Sequence, residues 1–414
     1  MRPLGCVADD FTGATDLAGN LVATGRRVVV TIGPPKSAPA DADAVVVALK
    51  SRTVPPEEAV AASLDAHRSL VDAGFARTWF KYCSTFDSTP SGNIGPVTDA
   101  LLDATGAAWT VVCPAFPAND RTVYQGHLFV GDRLLSESGM RHHPLTPMND
   151  PDLVRVMGAQ TRHRVGLLPH AVLRAGERAA RAHVAALVTG GVRIVVTDAV
   201  DDGDLAVVER VTRDLPLITG GSGLALALPP VSPVPDAARI RTAPGPMAVL
   251  AGSVSDATLG QIAHARQSVP HRLLAVDDLA EAPRRAVADA VDWATTHLEA
   301  GRDVLIHSAE DRGQVRAAQR RFGAGHSARL VERALAHCAR ALADRGTRRF
   351  LVAGGESSGA VVEALGITLL RIGPAIAPGV SWTEGVRAGR PVNLALKSGN
   401  FGARDLFTTA QDRL

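Results

Sequence analysis

Short β-branched runs alternate with longer amphipathic stretches along almost the whole chain, the pattern of parallel sheets built from strand-helix-strand units. In the first half Leu4 to Val7, Val28 to Ile32, Ala44 to Ala48, Thr78 to Phe80, Ala108 to Cys113, Arg193 to Thr197 and Leu217 to Thr219 read as strands. Helices are predicted around Pro55 to Ala73, Val97 to Ala104, Gly176 to Thr189 and Asp204 to Arg213. The alternation then stops at Leu228-Pro229-Pro230-Val231-Ser232-Pro233-Val234-Pro235, where four prolines in seven positions exclude both a helix interior and a central strand. An extended linker is expected there.

Beyond it the pattern restarts with strands at Met247 to Ala251, Arg272 to Val276, Asp303 to His307, Phe350 to Ala353, Thr368 to Ile372 and Val392 to Leu396, and a helix near Leu259 to Arg266. His326 to Asp344 places Leu330, Ala334, Cys338 and Leu342 four residues apart, on one face of a helix. The expectation is α/β: two α/β domains with mainly parallel sheets, residues 1–228 and 247–414, joined by a Pro-rich linker over 229–246. A small-molecule site is expected in the cleft between such domains.

A chain of 414 residues exceeds what one core usually supports, in agreement with two domains. The formal net charge of +2 is too small for a nucleic-acid or membrane surface, and aromatic residues at 4% are too few for base-stacking platforms. With no secretory or transit pattern at Met1-Arg2-Pro3-Leu4, and no uncharged apolar run near the roughly 20 residues that cross a bilayer, a cytoplasmic location is expected. Cys6, Cys83, Cys113 and Cys338 form no C-x-x-C pair, and the histidines, including His142-His143, form no H-E-x-x-H pattern, so neither disulfides nor a protein metal site is expected. A homodimer remains open.

Candidate chemistry begins where the first strand delivers Asp9 and Asp10 into the turn Phe11-Thr12-Gly13-Ala14 ahead of an apolar helix. Ligands of open α/β sheets bind beyond the carboxyl ends of the strands. Successive strand side chains face opposite ways, so one carboxylate is expected to brace the turn while the other faces substrate. As plain helix caps they would contribute about 0.3–1 kcal/mol.

In the second half, Gly354-Gly355-Glu356-Ser357-Ser358-Gly359 lies between a strand and a short helix, a geometry that brings backbone amides and a helix N-terminus to an anion. It lacks the Gly-Lys-Ser/Thr ending of a Walker A loop. The turns with Gly252, Ser253 and Ser255 and with Lys397, Ser398 and Gly399 also follow strands of that domain. Only Lys36, Lys50, Lys81 and Lys397 are lysines among 44 basic residues, and the last two sit in Ser/Gly-rich turns at strand ends, suited to a phosphoryl group or a carboxylate. Lys81, Ser84, Asp87 and Ser88 form a set that can bind a polyhydroxy acid, with Arg121, Arg141 and His143 as further anion partners.

These segments together resemble the four-carbon acid sugar kinase family. Ala8 to Ala14, Lys81 to Gly95, Gly354 to Gly359 and Lys397 to Gly402 carry the resemblance. Cys83 to Thr89, Gly92 to Val97 and Glu137 to Arg141 are similar to its 3-oxo-tetronate branch, whereas the D-threonate and D-erythronate kinases, the alternative, typically read Asp-Ser-Thr-Leu-Arg-Gly there. Ser357 stands where threonine is more usual, and Pro90-Ser91 lacks a basic residue often found before the glycine at Gly92.

The resemblance implies transfer of the ATP γ-phosphoryl group to the C4 hydroxyl of 3-oxo-tetronate, with Mg²⁺ on the nucleotide. It makes Asp10 the candidate base, supported by Asp9 or Asp16. Thr12, Asp16, Lys81, Ser84, Asp87, Ser88, Arg121 and Arg141 then fall to the acid. Ser253, Ser255, Gly354 to Gly359, Lys397 and Gly399 fall to the nucleotide. A nicotinamide oxidoreductase would need a G-x-G-x-x-G turn, to which Gly220-Gly221-Ser222-Gly223 comes closest without opening the required unit. A solute-binding protein would need export.

Overall fold

The computed structural model describes residues 3–35, 42–143, 146–231 and 237–414. The chain divides into two compact units, Met1–Ala237 and Ala238–Leu414. Lys36 and the Ser232 to Asp236 part of the expected linker lie outside the described residues.

In the first unit the strands are β1 (Leu4–Ala8), β2 (Val28–Ile32), β3 (Ala44–Ala48), β4 (Arg77–Lys81), β5 (Thr110–Cys113), β6 (Arg121–Tyr124), β7 (His127–Val130), β8 (Arg133–Leu134), β9 (Arg164–Leu168), β10 (Val192–Thr197) and β11 (Leu217–Gly220). Eight form a parallel array in the order β2-β3-β1-β4-β11-β5-β10-β9. Their runs are almost wholly apolar because helices cover such a sheet on both faces. Helix Pro56–Asp72, for example, packs Ala66 and Leu70 against Val7, Val45, Val47, Leu49 and Phe75. Residues β6 to β8 make a small antiparallel sheet that the apolar pattern did not announce.

Register decides what meets at the carboxyl edge. Ala8 pairs with Ala48 on one side and Lys81 on the other, and Lys81 pairs with Gly220. The turns after β1, β3, β4 and β11 are therefore neighbours.

The second unit contains β12 (Met247–Ala251), β13 (His271–Leu273), β14 (Val304–His307), β15 (Arg349–Ala353), β16 (Leu369–Ala377), β17 (Val380–Arg387) and β18 (Arg390–Lys397). Their order is β13-β14-β12-β15-β18-β17-β16, parallel as far as β18 and antiparallel after it. The strand expected over Arg272 to Val276 ends at Leu273, and Val276 instead opens helix Val276–Glu281. The β17 strand was not foreseen. Its hairpin to β18 turns on Ala388 and Gly389, both at positive φ, 47° and 73°, a conformation that alanine seldom signals.

The two ends of the expected linker are held by their own units. Val231 N–H donates to Thr24 O at 3.0 Å, whereas Arg241 N–H reaches Glu384 and Ala243 N–H reaches Asn393 Oδ1 at 2.7 and 2.6 Å.

Close approach explains the glycine turn after β11. A Cβ at Gly220 would lie 2.3 Å from the Cys113 carbonyl oxygen, and one at Gly223 would lie 2.4 Å from the Ala115 oxygen. These glycines let the turn pack against β5 rather than cradle a dinucleotide. Gly220→Ala is expected to destabilise the first unit by about 1–3 kcal/mol, read as a lower urea midpoint at unchanged slope. An unaltered midpoint would contradict this packing.

Candidate active site

Because β1 ends at Ala8, the alternation of strand side chains no longer applies to the two acids that follow. Asp9 is stitched by its backbone between two neighbouring turns: its N–H donates to Lys81 O, and its carbonyl accepts from Ser51 N–H, each at 3.0 Å. Asp10 caps helix Phe11–Ala23, accepting from Gly13 N–H at 3.0 Å and from Thr12 Oγ1 at 2.7 Å. Both carboxylates converge on Arg52. The guanidinium grips Asp9 through Nε and Nη2 at 2.9 and 2.8 Å, and Nη2 also donates to Asp10 Oδ1 at 2.6 Å. Its Nη1 lies 3.7 Å from Asp87 Oδ2.

Lys81, at 2% exposure, donates to Tyr82 O at 2.8 Å and stands 4.0 Å from Asp16 Oδ2. That oxygen accepts from Ser222 Oγ at 2.5 Å, while Asp16 Oδ1 is buried and accepts no hydrogen bond from the described residues. The acids are thereby differentiated. Burial works to raise Asp10, but the charges of Arg52 and Lys81 and the bonds from Thr12 and Gly13 outweigh it and hold the carboxyl below its ordinary range. Burial prevails at Asp9 over the charge and bond of Arg52, and lifts it. At Asp16 burial pushes the carboxyl up to about 6 against Lys81 and Ser222.

Beyond Lys81, Thr85 Oγ1 donates to Asp87 Oδ1 at 2.6 Å, Ser84 is buried, and Ser88 Oγ donates to Gln160 Oε1 at 3.0 Å. Arg121 opens β6, where its guanidinium donates to Asn119 O and feels the charges of Asp87 and Asp16. Thus Asp9, Asp10, Thr12, Asp16, Lys81 and Asp87 share one network whose charges reach Arg121, while Ser84 is buried on the same turn and Ser88 bonds Gln160. Arg141 is exposed on the turn Gly139–His142, and among the described residues no contact ties it to this network; His143 bonds Thr146 instead.

Arg52 is the residue that sequence reasoning missed. Its signal was its place in the turn after β3, the strand beside β1. That turn is held by Asn93, whose Nδ2 donates to the carbonyls of Ser51, Arg52 and Val54 at 2.7, 3.2 and 2.9 Å.

In the second unit β12, β15 and β18 are adjacent, so the three suspected turns converge. Gly252 and Ser253 N–H both donate to Ala353 O at 3.0 Å, and Gly354 N–H donates to Lys397 O at 2.9 Å. Gly354 has φ +124°, and a Cβ there would come within 3.2 Å of Ser253 N; one at Gly252 would lie 2.2 Å from Ser357 Oγ, and one at Gly399 2.4 Å from Ser253 Oγ. The surface is bare backbone and hydroxyl at the N-terminus of helix Gly355–Ala364, whose first turns hold Glu356 and the buried Ser357, Ser358 and Gly359. Such a surface suits phosphate.

Ser255 Oγ donates to Gly399 O at 2.6 Å. Lys397 lies beneath these turns rather than on them. It is fully buried, donates to Thr258 Oγ1 and Gly399 O at 2.9 and 3.0 Å, and is pushed down to about 7 by burial. Its visible task is to bind the end of β18 to helix Asp256–Ala265. Among the described residues no group of three or more His, Cys, Asp or Glu could hold a metal ion, and no helix is long and apolar enough to cross a membrane.

Residues 4–228 match the family model for a sugar-binding N-terminal domain, and residues 248–407 match that for a nucleotide-binding C-terminal domain. A protein of Cupriavidus necator named 3-oxo-tetronate kinase is 52% identical, with 100% of this chain and 98% of the relative covered. One of the same name from Burkholderia multivorans is 51% identical over 99% and 97%. Among solved structures, a Salmonella typhimurium LT2 protein provisionally described as a tRNA synthase superposes with a TM-score of 0.87 at 44% identity, covering 99% of this chain and 98% of that one. A Haemophilus influenzae protein gives 0.77 at 40%, with 99% of each chain covered.

The raised Asp16 carboxyl has a stability consequence of definite sign. Between about pH 4 and pH 6 the folded chain keeps a proton at Asp16 that the unfolded chain has released, so stability falls as pH rises through that window. Asp16→Asn removes the loss. It is expected to melt higher than the parent at pH 7.5, by on the order of 2 kcal/mol, with the gap closing by about pH 4. A melting difference independent of pH would contradict the assignment.

Proposed function

The chain belongs to the four-carbon acid sugar kinase family, and from that premise we propose that it transfers the γ-phosphoryl group of ATP to the C4 hydroxyl of 3-oxo-tetronate, giving the 4-phosphate. The observation that carries the reading is the gathering of Asp10, Arg52, Lys81 and Asp87 at the carboxyl edge of one parallel sheet. In this reading the first unit holds the acid, and the second holds the nucleotide.

In the transfer, the bond from the γ-phosphorus to the ADP oxygen breaks, a bond from that phosphorus to O4 forms, and the O4 proton passes to Asp10. Such transfers depend on alignment and charge neutralisation, with a carboxylate accepting the hydroxyl proton. Asp10, held below the ordinary carboxylate range, is ionised at neutral pH and ready to accept.

Lys81 and Arg121 offer cations to the acid group, and Ser84, Asp87 and Ser88 offer partners to its hydroxyls, whereas nothing among the described residues brings the exposed Arg141 to this set. The hydroxyls of Ser253 and Ser255 and the amides of the helix N-terminus within Gly354 to Gly359, beside Gly399, face the nucleotide phosphates in this reading, while Lys397 fixes the shape of that surface. Mg²⁺ would supply neutralisation of phosphate charge, arriving with the nucleotide in keeping with the ion's habit of binding through substrate phosphates. The small net charge favours a sugar acid over tRNA as the partner.

ADP release measured against 3-oxo-tetronate, D-threonate, L-threonate and D-erythronate is expected to be greatest by far with 3-oxo-tetronate. Preference for a threonate or erythronate would move the chain to another branch, and no turnover with any of them would end the kinase reading. Asp10→Asn should lose about 10²- to 10⁴-fold in kcat while calorimetry finds ATP affinity nearly intact. Turnover equal to the parent would remove Asp10 from the base role.

A further inference from the structure

Resting on the reading of Asp10 as base, we propose that Arg52 is its positioning residue, occupying Asp10 Oδ1 so that Oδ2 is the atom that takes the substrate proton. A carboxylate oxygen offers about two acceptor sites. On Oδ1 both are taken, by Gly13 N–H at 3.0 Å and Arg52 Nη2 at 2.6 Å. Among the described residues Oδ2 accepts from Thr12 Oγ1 alone, at 2.7 Å, which leaves it one site free of them.

Arg52 is well placed for this task because both its side chain and its loop are tied down by hydrogen bonds. Its Nε and Nη2 are anchored bidentate on Asp9, a planar fork that lysine cannot reproduce. Its backbone is tied to Asp9 O through Ser51 N–H, and to Asn93 through the carbonyls of Ser51, Arg52 and Val54. The geometry thus runs from Asn93 to the loop, from the loop to the guanidinium, and from the guanidinium to one chosen oxygen.

Charge points the same way. The groups facing Asp10 are Arg52 from the turn after β3, Lys81 from the end of β4, Asp9 from its own turn and Asp16 from helix Phe11–Ala23; Asp87, from the turn after β4, faces Arg52. Three carboxylates, Asp9, Asp10 and Asp87, therefore share one guanidinium, with Lys81 close by and Arg121 within reach of the charges of Asp87 and Asp16. Without Arg52 these buried carboxylates would repel one another, and Asp10 would lose the charge that most strongly holds it below its ordinary range, so it would take up a proton at higher pH.

The test is the pH dependence of kcat in Arg52→Ala and Arg52→Lys, with ATP affinity and melting temperature measured alongside. In Arg52→Ala, kcat at pH 7 is expected to fall by at least about tenfold, and the acid limb to move up by about one pH unit or more. Millimolar guanidinium, below denaturing levels, is expected to restore part of the rate. Arg52→Lys should lie between the two, since it restores charge without the fork.

An acid limb identical to the parent's in a folded Arg52→Ala, together with no response to guanidinium, would overturn the proposal while leaving Asp10 as base. Should Arg52→Ala fail to fold, a parent-like limb and parent-like kcat in Arg52→Lys would overturn it equally. Failure of the base reading itself shows separately, in an Asp10→Asn variant that turns over normally.

Discussion

Parallel pairing brings every strand of a sheet to its end on the same side, and this constraint decides what each unit must do with the residues placed there. Neighbouring strands lie about 4.8 Å apart, so turns following adjacent strands cannot avoid one another. In the first unit the edge shared by β3, β1 and β4 receives Arg52, the Asp9-Asp10 pair and Lys81. Buried acids of like charge are tolerated only with compensating cations and hydrogen bonds. The Arg52 fork is that compensation, and its loop is built to hold it still. In the second unit the edge shared by β12, β15 and β18 receives glycines and serines instead, which leaves amides and hydroxyls at the surface. One fold principle has produced a charged edge and a bare one.

Neither edge is built for stability alone. Asp16 keeps an oxygen buried without a hydrogen bond from the described residues, and Lys397 carries its ammonium into the interior with a hydroxyl, a carbonyl and the Phe407 ring at 5.8 Å for company. Each buried group gives up hydration that its partners repay only in part. Such departures from good packing are expected where a site asks for charge that a core would reject.

Much of the fold was legible because β-branched runs and amphipathic helices announce themselves locally, as at Ala44–Ala48 and in the helix reaching Asp344. The Asp9-Asp10 turn and the Gly354 to Gly359 turn were legible for the same reason: motif and context are contiguous. Arg52 was not, because Ser51-Arg52-Thr53 looks like any polar turn until the pairing of Ala8 with Ala48 brings it to the acids. Lys397 was found at the right strand end, yet its burial depends on Thr258 and Phe407, contacts that a linear reading does not contain. The β17 hairpin was hidden by an alanine in a left-handed conformation where asparagine or glycine would have marked the turn.

The most direct measurement is proton-coupled phosphorus NMR of a reaction containing the full chain, ATP, Mg²⁺ and 3-oxo-tetronate. The account predicts a new phosphate-ester resonance, split by the protons of an adjacent methylene group, that grows as ADP accumulates. Inorganic phosphate as the only new species, or an ester on a carbon bearing a single proton, would contradict transfer to the terminal hydroxyl.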